Sequence, residues 1–196
     1  MARIIFSVIL LLTCLLPASP GGAECLRGTC IEGFGVYRFG EGGVYEGLFV
    51  EARMSGQGVM TYPDGAVYKG SFEDGQPDGE GTMTYRNGAS YTGGFMGGVI
   101  YGEGTYSYAD GSRYTGHFVN NLPDGKGVMT YPDGSRYEGR LRKGKFHGKG
   151  TFSYADGSSY KGMFRRGRRH GKGLYVFANG ARQAGLFAND KYVEEG

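Results

Sequence analysis

Apolar residues and glycines recur along this chain with a fixed period of 23 residues. Tyrosine occupies position 1 of the repeat six times, and glycine follows at position 3 each time. Position 5 is Phe or Leu, positions 12 and 14 are glycine, position 18 is aromatic, and positions 20 and 21 are Asp-Gly or Asn-Gly. A constant period of this length is the signature of a repeat architecture. The position 1 residues are Tyr45, Tyr68, Tyr91, Tyr114, Tyr137 and Tyr160.

The pattern within one repeat predicts a β-hairpin. Residues 58–62 and 66–72 are short strand-like stretches on either side of Asp64-Gly65, a pair that tolerates the positive φ of a tight turn. The stretch after position 5, for example residues 73–76, predicts a polar loop to the next hairpin. No segment after residue 23 has helical apolar spacing. We therefore predict an all-β fold, an elongated single-layer antiparallel meander of hairpin repeats forming a solenoid-like sheet.

Composition supports this fold class. The chain has 40 glycines among 196 residues, an abundance typical of collagen, of disordered linkers or of turn-rich β repeats. Collagen requires glycine at every third residue, which is absent here. A disordered linker would not carry 16 Tyr and 12 Phe. Only the turn-rich β repeat fits both facts.

The first 23 residues predict a cleaved signal peptide. Arg3 precedes an apolar run over residues 4–16, and small residues lead to Ala23, where cleavage is expected. The run is shorter than the 18 or more residues of a typical membrane-spanning helix. We therefore expect a periplasmic or secreted protein. The alternative is a lipid anchor at Cys14, whose preceding residues loosely resemble a lipoprotein processing site.

The remaining chain divides into an N-terminal cap, a repeat array and a short tail. The cap is residues 24–32 and contains Cys25 and Cys30, an even pair that can form a disulfide in an oxidising compartment. A zinc site would need two more nearby ligands, so no metal is predicted. The array spans residues 33–190, with six full repeats over 45–182 and a half repeat at each end. The tail is residues 191–196.

The repeat consensus resembles that of the MORN (membrane occupation and recognition nexus) family. The matching pattern is Tyr-x-Gly-x-Phe, a polar stretch, and then Gly-x-Gly-x-x-x-Tyr-x-Asp-Gly. The N-terminal signal and the Cys-x4-Cys segment are more similar to exported bacterial members than to cytoplasmic eukaryotic ones. The resemblance implies a binding or scaffold protein, and for some eukaryotic relatives it implies an aromatic face that takes a peptide or a helix.

Strand alternation places positions 1, 3 and 5 on one face, together with positions 14, 16 and 18. Two interpretations of this aromatic face stay open. It is the core of a single-layer sheet, or part of it is an open groove that binds a partner. The candidate binding residues on this face are Tyr45, Tyr68, Tyr91, Tyr114, Tyr137, Tyr160, Phe49, Phe72, Phe95, Phe118 and Phe164.

Charge is distributed unevenly along the chain. Residues 136–182 contain 13 Lys or Arg and two acids, a net charge of +11, whereas residues 24–135 carry a net charge of −7. Equivalent positions of neighbouring repeats lie about 10 Å apart, so the basic stretches of two repeats form one patch. Such a patch could bind an anionic membrane surface or an acidic partner protein. The alternative interpretation is that these residues are a solvated run of charge without a partner. The patch residues are Lys143, Lys145, Lys149, Arg165, Arg166, Arg168, Arg169 and Lys172.

No catalytic constellation is present in the pattern. The Gly-x-Gly pairs belong to the repeat and none continues as a phosphate-binding loop. His147 and His170 occupy position 11 of successive repeats, too far apart to share a zinc ion. We therefore predict a non-enzymatic protein without a cofactor. The expected partner is a protein or peptide, with an anionic membrane surface as the alternative, nucleic acid disfavoured, and self-association through the open sheet edges allowed.

Overall fold

The computed structural model describes residues 22–193, and all regular secondary structure in that range is β-strand. The prediction of an all-β antiparallel hairpin fold is confirmed. Most of the predicted signal peptide, including Cys14, lies outside the described residues. The strands are β1 (Glu24–Gly28), β2 (Gly33–Arg38), β3 (Val44–Val50), β4 (Arg53–Thr61), β5 (Val67–Glu73), β6 (Gln76–Thr84), β7 (Ser90–Met96), β8 (Val99–Ser107), β9 (Arg113–Val119), β10 (Leu122–Thr130), β11 (Arg136–Arg142), β12 (Lys145–Ser153), β13 (Ser159–Arg165), β14 (Arg168–Val176), β15 (Arg182–Ala188) and β16 (Lys191–Val193).

The sixteen strands follow one another in sequence order in one sheet. Contacts divide the described chain into two compact units, residues 22–83 with 95–99, and residues 84–94 with 100–193. In the first unit β1 to β5 pair antiparallel in succession. In the second unit the same holds from β8 to β16. Every connection is therefore local, as the short repeat requires.

The Asp-Gly or Asn-Gly motif forms a three-residue turn at one end of each hairpin. In the first full repeat the Tyr62 amide donates to the Ala66 carbonyl (2.8 Å), and the Gly65 amide donates to the Tyr62 carbonyl (2.9 Å). Gly65 has φ of 86°, and the Asp64 carboxylate accepts the Ala66 amide at 2.9 Å. The turn therefore depends on glycine for its left-handed residue and on aspartate for an internal acceptor.

A second turn type lies at the opposite ends of the strands, where the sequence predicted a polar loop. β5 continues through Glu73, β6 begins at Gln76, and only Asp74 (φ 47°) and Gly75 (φ 82°) connect them. Two successive residues with positive φ define a type I′ turn, which reverses the chain without a loop. The predicted loop over residues 73–76 is therefore wrong. Equivalent turns occur at 51–52, 97–98, 120–121, 143–144, 166–167 and 189–190.

Tyr68 illustrates how the core is built. Its ring covers Gly81, where an added Cβ would lie 2.5 Å from the ring Cε2 and Cζ. Its hydroxyl donates to the Ser71 carbonyl at 2.9 Å. Phe72 and Phe95 approach the ring edge-on, at centroid distances of 5.1 and 4.8 Å, a geometry worth about 0.5–1.5 kcal/mol per pair. The expectation that aromatic rings lie over glycines of adjacent strands is confirmed.

Both ends of the array use a substitute for the missing tyrosine ring. At the N-terminal end the structure joins Cys25 to Cys30, and the Cys30 Sγ lies 2.9 Å from where a Cβ on Gly35 would be. At the C-terminal end Gln183 takes position 1, and the Tyr192 ring covers Gly185 instead. Part of the predicted tail thus adds strand β16 to the sheet, because its tyrosine completes the last core layer.

Candidate functional site

The eleven aromatic candidate residues at positions 1 and 5 form the buried core. All six position 1 tyrosines have 0% of their surface exposed, and the five phenylalanines have 4% or less. A side chain with no exposed surface cannot contact a partner without a rearrangement of the sheet. Of the two interpretations of this face, these eleven residues therefore fit the core.

A separate group of rings on the same face of the second unit is only half-buried. These rings occupy positions 16 and 18 and contact one another in two groups, Tyr106 with Tyr108, and Tyr131 with Phe152, Tyr154 and Tyr175. Centroid distances are 4.5 Å for Tyr106–Tyr108 and for Phe152–Tyr154, 6.0 Å for Tyr131–Phe152 and 5.9 Å for Tyr154–Tyr175. They form an open row that crosses successive hairpins. We call it the aromatic band, consisting of Tyr106, Tyr108, Tyr131, Phe152, Tyr154 and Tyr175.

Tyr108 has the most unusual environment in the aromatic band. Its hydroxyl is buried and has no hydrogen-bond partner among residues 22–193. Burial raises the pKa of Tyr108 well above 10, with smaller contributions from neighbouring tyrosines and Asp110. For the same reason the pKa of Tyr131 is raised to about 12. Both phenols are therefore neutral donors at neutral pH, and the Tyr108 hydroxyl has unused hydrogen-bonding capacity.

The predicted basic patch is divided between two adjacent clefts on the face opposite the aromatic band. Both clefts lie beside the type I′ turns of the second unit, and Arg166 contributes to each. Their volumes are about 420 and 390 Å³. Arg142, Lys143, Lys145, His147 and Arg166 line the first basic cleft. Arg165, Arg166, Arg168, His170 and Asn189 line the second basic cleft.

Arg169 does not belong to this patch, contrary to the sequence prediction. Position 10 faces the core side of the sheet, so its guanidinium carbon lies 5.3–5.7 Å from the ring centroids of Tyr160, Tyr175 and Phe187. Its Nη2 donates to the Asp190 carbonyl at 2.8 Å. Cation–π contacts and this hydrogen bond make Arg169 a packing residue of the last hairpins.

Lys149 and Lys172 also lie outside both clefts. They are exposed and occupy position 13, whereas the cleft residues come from positions near the turn. Arg142, Asn189 and the two histidines line the clefts, although the clustering of charge in the sequence did not indicate them. The available signal was position 11 of the repeat, which is acidic at Glu32, Asp78 and Asp124 and becomes histidine at His147 and His170.

The described part of the chain has neither a metal-binding cluster nor a membrane-spanning helix. Residues 22–193 contain no group of three or more His, Cys, Asp or Glu placed to hold a metal ion. Over the same residues there is no helix with the length and apolar character needed to traverse a bilayer.

The fold defines an all-β hairpin-repeat protein. The profile of the MORN repeat matches residues 31–44, 45–67, 68–90, 91–113, 114–136, 137–159 and 160–182. The chain belongs to the MORN repeat family. No curated protein sequence matches it significantly.

A solved structure supports this kind of fold at low sequence identity, and a second is similar to a lesser extent. The TCP domain of Drosophila melanogaster SAS-4 (dCPAP), solved in complex with a proline-rich motif of Ana2 (dSTIL), has 12% identity and a TM-score of 0.52. That match covers 94% of this chain and 100% of the domain. The wild-type TCP10 domain of Danio rerio CPAP has 14% identity and a TM-score of 0.36, covering 87% of this chain and 92% of that one.

Proposed function

We propose that this protein is a non-catalytic scaffold that binds an extended, proline-rich segment of another protein along the aromatic band. The observation that carries the proposal is the row of half-buried rings that crosses successive hairpins on an otherwise buried face. Aromatic-lined grooves are a recurrent means of binding proline-rich peptides, because a preformed polyproline II helix loses little entropy on binding.

The spacing of the aromatic band suits that conformation. Equivalent rings of neighbouring repeats are two strands apart, which is about 9.6 Å. A polyproline II helix rises about 3.1 Å per residue and about 9.3 Å per three-residue turn. Every third residue of the peptide would therefore meet an equivalent ring, and Pro-x-x-Pro is the matching sequence class. The Tyr108 hydroxyl is itself buried, so the exposed part of the ring and not the hydroxyl is the contact surface that Tyr108 offers to a peptide.

The similar Drosophila domain supports a peptide of this class. That domain was solved with a proline-rich motif, and its fold is shared by this chain. We transfer only the class of ligand from that domain to this chain, because at 12% identity individual binding residues cannot be matched between the two. Export is part of the proposal as well, and the Cys25–Cys30 disulfide supports it, because such bonds persist in oxidising compartments.

The proposal is tested by fluorescence anisotropy with a labelled peptide that has proline at every third residue. A peptide with alanine at those positions is the reference. We expect saturable binding that is preferential for the proline peptide and is weakened about tenfold or more by Tyr131→Leu or Tyr154→Leu. Tyr108→Phe should leave the peptide affinity unchanged, because the Tyr108 hydroxyl is buried and the ring is retained.

Met163→Ala is the matched control variant. Met163 is an exposed apolar residue of the same unit, but it lies on the opposite face of the sheet. Its replacement should leave the peptide affinity unchanged. Binding that is equal for the two peptides, or equally reduced by Met163→Ala and Tyr131→Leu, would refute the assignment of the aromatic band.

A further inference from the structure

Position 11 of the repeat has a defined role in the three earlier repeats that carry an acid there, Glu32, Asp78 and Asp124. The carboxylate of Glu32 accepts the amide of Glu51 at 2.9 Å, at the first residue of the next type I′ turn. Asp78 accepts the Gly97 amide at 2.9 Å in the same way. Asp124 accepts the Lys143 amide at 3.2 Å. An acidic oxygen from one repeat thus satisfies the turn amide of the next.

Histidine replaces that acid in the last two full repeats. His147 and His170 occupy position 11, and the turn amides that follow them belong to Arg166 and Asn189. Among residues 22–193 these two amides have no carboxylate acceptor of the kind that Glu32, Asp78 and Asp124 provide. The Nδ1 of His170 is buried and has no partner in the same range. Both basic clefts therefore combine hydrogen-bond donors with the absence of the usual acceptor.

The positively charged side chains around these amides destabilise the hairpins locally. Arg165 and Arg168 are direct cross-strand partners, as are Arg142 and Lys145, and like charges in that arrangement are destabilising. Arg166 has φ of 54°, a conformation that favours glycine or asparagine. No acidic residue lines either cleft. Departures from local structural preference of this kind concentrate at functional sites.

We infer that the two basic clefts bind oxyanions of the phosphate monoester or polyphosphate class. The anion takes the place of the position 11 carboxylate, accepting the turn amide together with donors from histidine and the flanking cations. Arginine suits such an anion because its planar fork donates two parallel hydrogen bonds to phosphate oxygens. The volumes of about 420 and 390 Å³ are at the lower end of small-molecule sites, which leaves room for more than a single phosphate ion.

Arg166 lines both clefts, so one ligand with several phosphate groups can contact both. A polyphosphate should therefore bind more tightly than inorganic phosphate. The clefts lie on the face opposite the aromatic band, so this inference and the proposed peptide binding stand or fall separately.

The decisive variant is His147→Asp/His170→Asp in the full chain. It introduces at position 11 the carboxylate that caps the following turn where this position is Glu32, Asp78 or Asp124, so the fold should be at least as stable while the anion site is lost. Calorimetric titration with tripolyphosphate and with inorganic phosphate should give saturable binding to the wild type, tighter for tripolyphosphate. We expect the double variant to bind tripolyphosphate at least about tenfold more weakly, with an unchanged or higher thermal midpoint.

Lys149→Gln/Lys172→Gln is the matched control variant. With neutral histidines, both double variants lower the net charge of the protein by two units. The two lysines lie in the same repeats as the histidines but outside both clefts. Affinity for tripolyphosphate should fall far less than in the histidine variant. Equal losses in the two variants, or no saturable binding to the wild type, would overturn the inference.

Vesicles separate a lipid headgroup from a soluble source of the same phosphate chemistry. Phosphatidic acid presents a phosphate monoester and phosphatidylserine does not. Sedimentation with phosphatidic acid vesicles but not with phosphatidylserine vesicles, and its loss in the histidine variant, would support the clefts. If the affinity for phosphatidic acid vesicles exceeds the affinity for tripolyphosphate, the source of the phosphate is a lipid headgroup. Equal sedimentation with both vesicle types would overturn the inference, since it would show attraction to negative charge in general.

Discussion

Substituting Gly81 by alanine tests the core arrangement in the first unit. The added Cβ would lie 2.5 Å from Cε2 and Cζ of the Tyr68 ring, where optimal carbon contacts are about 3.5–4.0 Å. The ring would have to shift by about 1 Å, and overpacking of this kind costs about 1–3 kcal/mol. Alanine also reduces the entropy of the unfolded chain, worth about 0.4–1 kcal/mol in its favour.

The expected net loss is about 1–2 kcal/mol of unfolding free energy, or roughly 2–8 °C in the thermal midpoint. It is measured by urea denaturation and by thermal melts followed by circular dichroism. The same substitution is then made in a Tyr68→Leu background. Because the atoms nearest to the added Cβ belong to the Tyr68 ring, the penalty should fall to near zero without it.

The resulting coupling free energy between positions 68 and 81 should be about 1–2 kcal/mol. A penalty for Gly81→Ala that is the same in both backgrounds would contradict the account. It would mean that the glycine is required by the backbone and not by the tyrosine ring above it.

Three further predictions concern stability. Burial raises the pKa of Tyr45 and Tyr114 from 10.0 to about 12. The unfolded chain releases these protons near pH 10, and the folded chain only near pH 12. The unfolding free energy should therefore be constant below about pH 9 and fall from pH 10 to 12. Urea titrations at each pH measure it. Reduction of the Cys25–Cys30 disulfide, whose residues are five apart, should cost about 2 kcal/mol in the same assay. Arg166→Asn relieves a positive φ and should stabilise the fold by about 0.5 kcal/mol, while weakening tripolyphosphate binding.

The 23-residue period was sufficient to predict the fold because each repeat contributes one equivalent core layer. Tyr68 and Gly81 are far apart in the sequence, but their constant positions in the frame reveal that one covers the other. The type I′ turns were less visible. Their residues, such as Asp74-Gly75, vary between repeats, since several residue types tolerate left-handed φ when the flanking strands already pair.

The candidate surfaces were only partly predictable. Clustering of charge pointed to the basic region but not to its geometry. Arg168 and Arg169 are adjacent in sequence, yet strand alternation directs them to opposite faces, so one lines a cleft and the other packs on Tyr160. Likewise, the sequence marks positions 1 and 18 equally as aromatic. Only the packing shows that Tyr137 is fully buried and Tyr131 is half-open.

The central claim is that the aromatic band, and not the buried tyrosines, contacts a partner. The most direct test is NMR with selectively labelled tyrosine, titrating the proline-repeat peptide. The account predicts saturable shifts of the Tyr108, Tyr131 and Tyr154 ring resonances, with those of Tyr114 and Tyr137 much less affected. Shifts confined to other residues, or none at peptide excess, would contradict it.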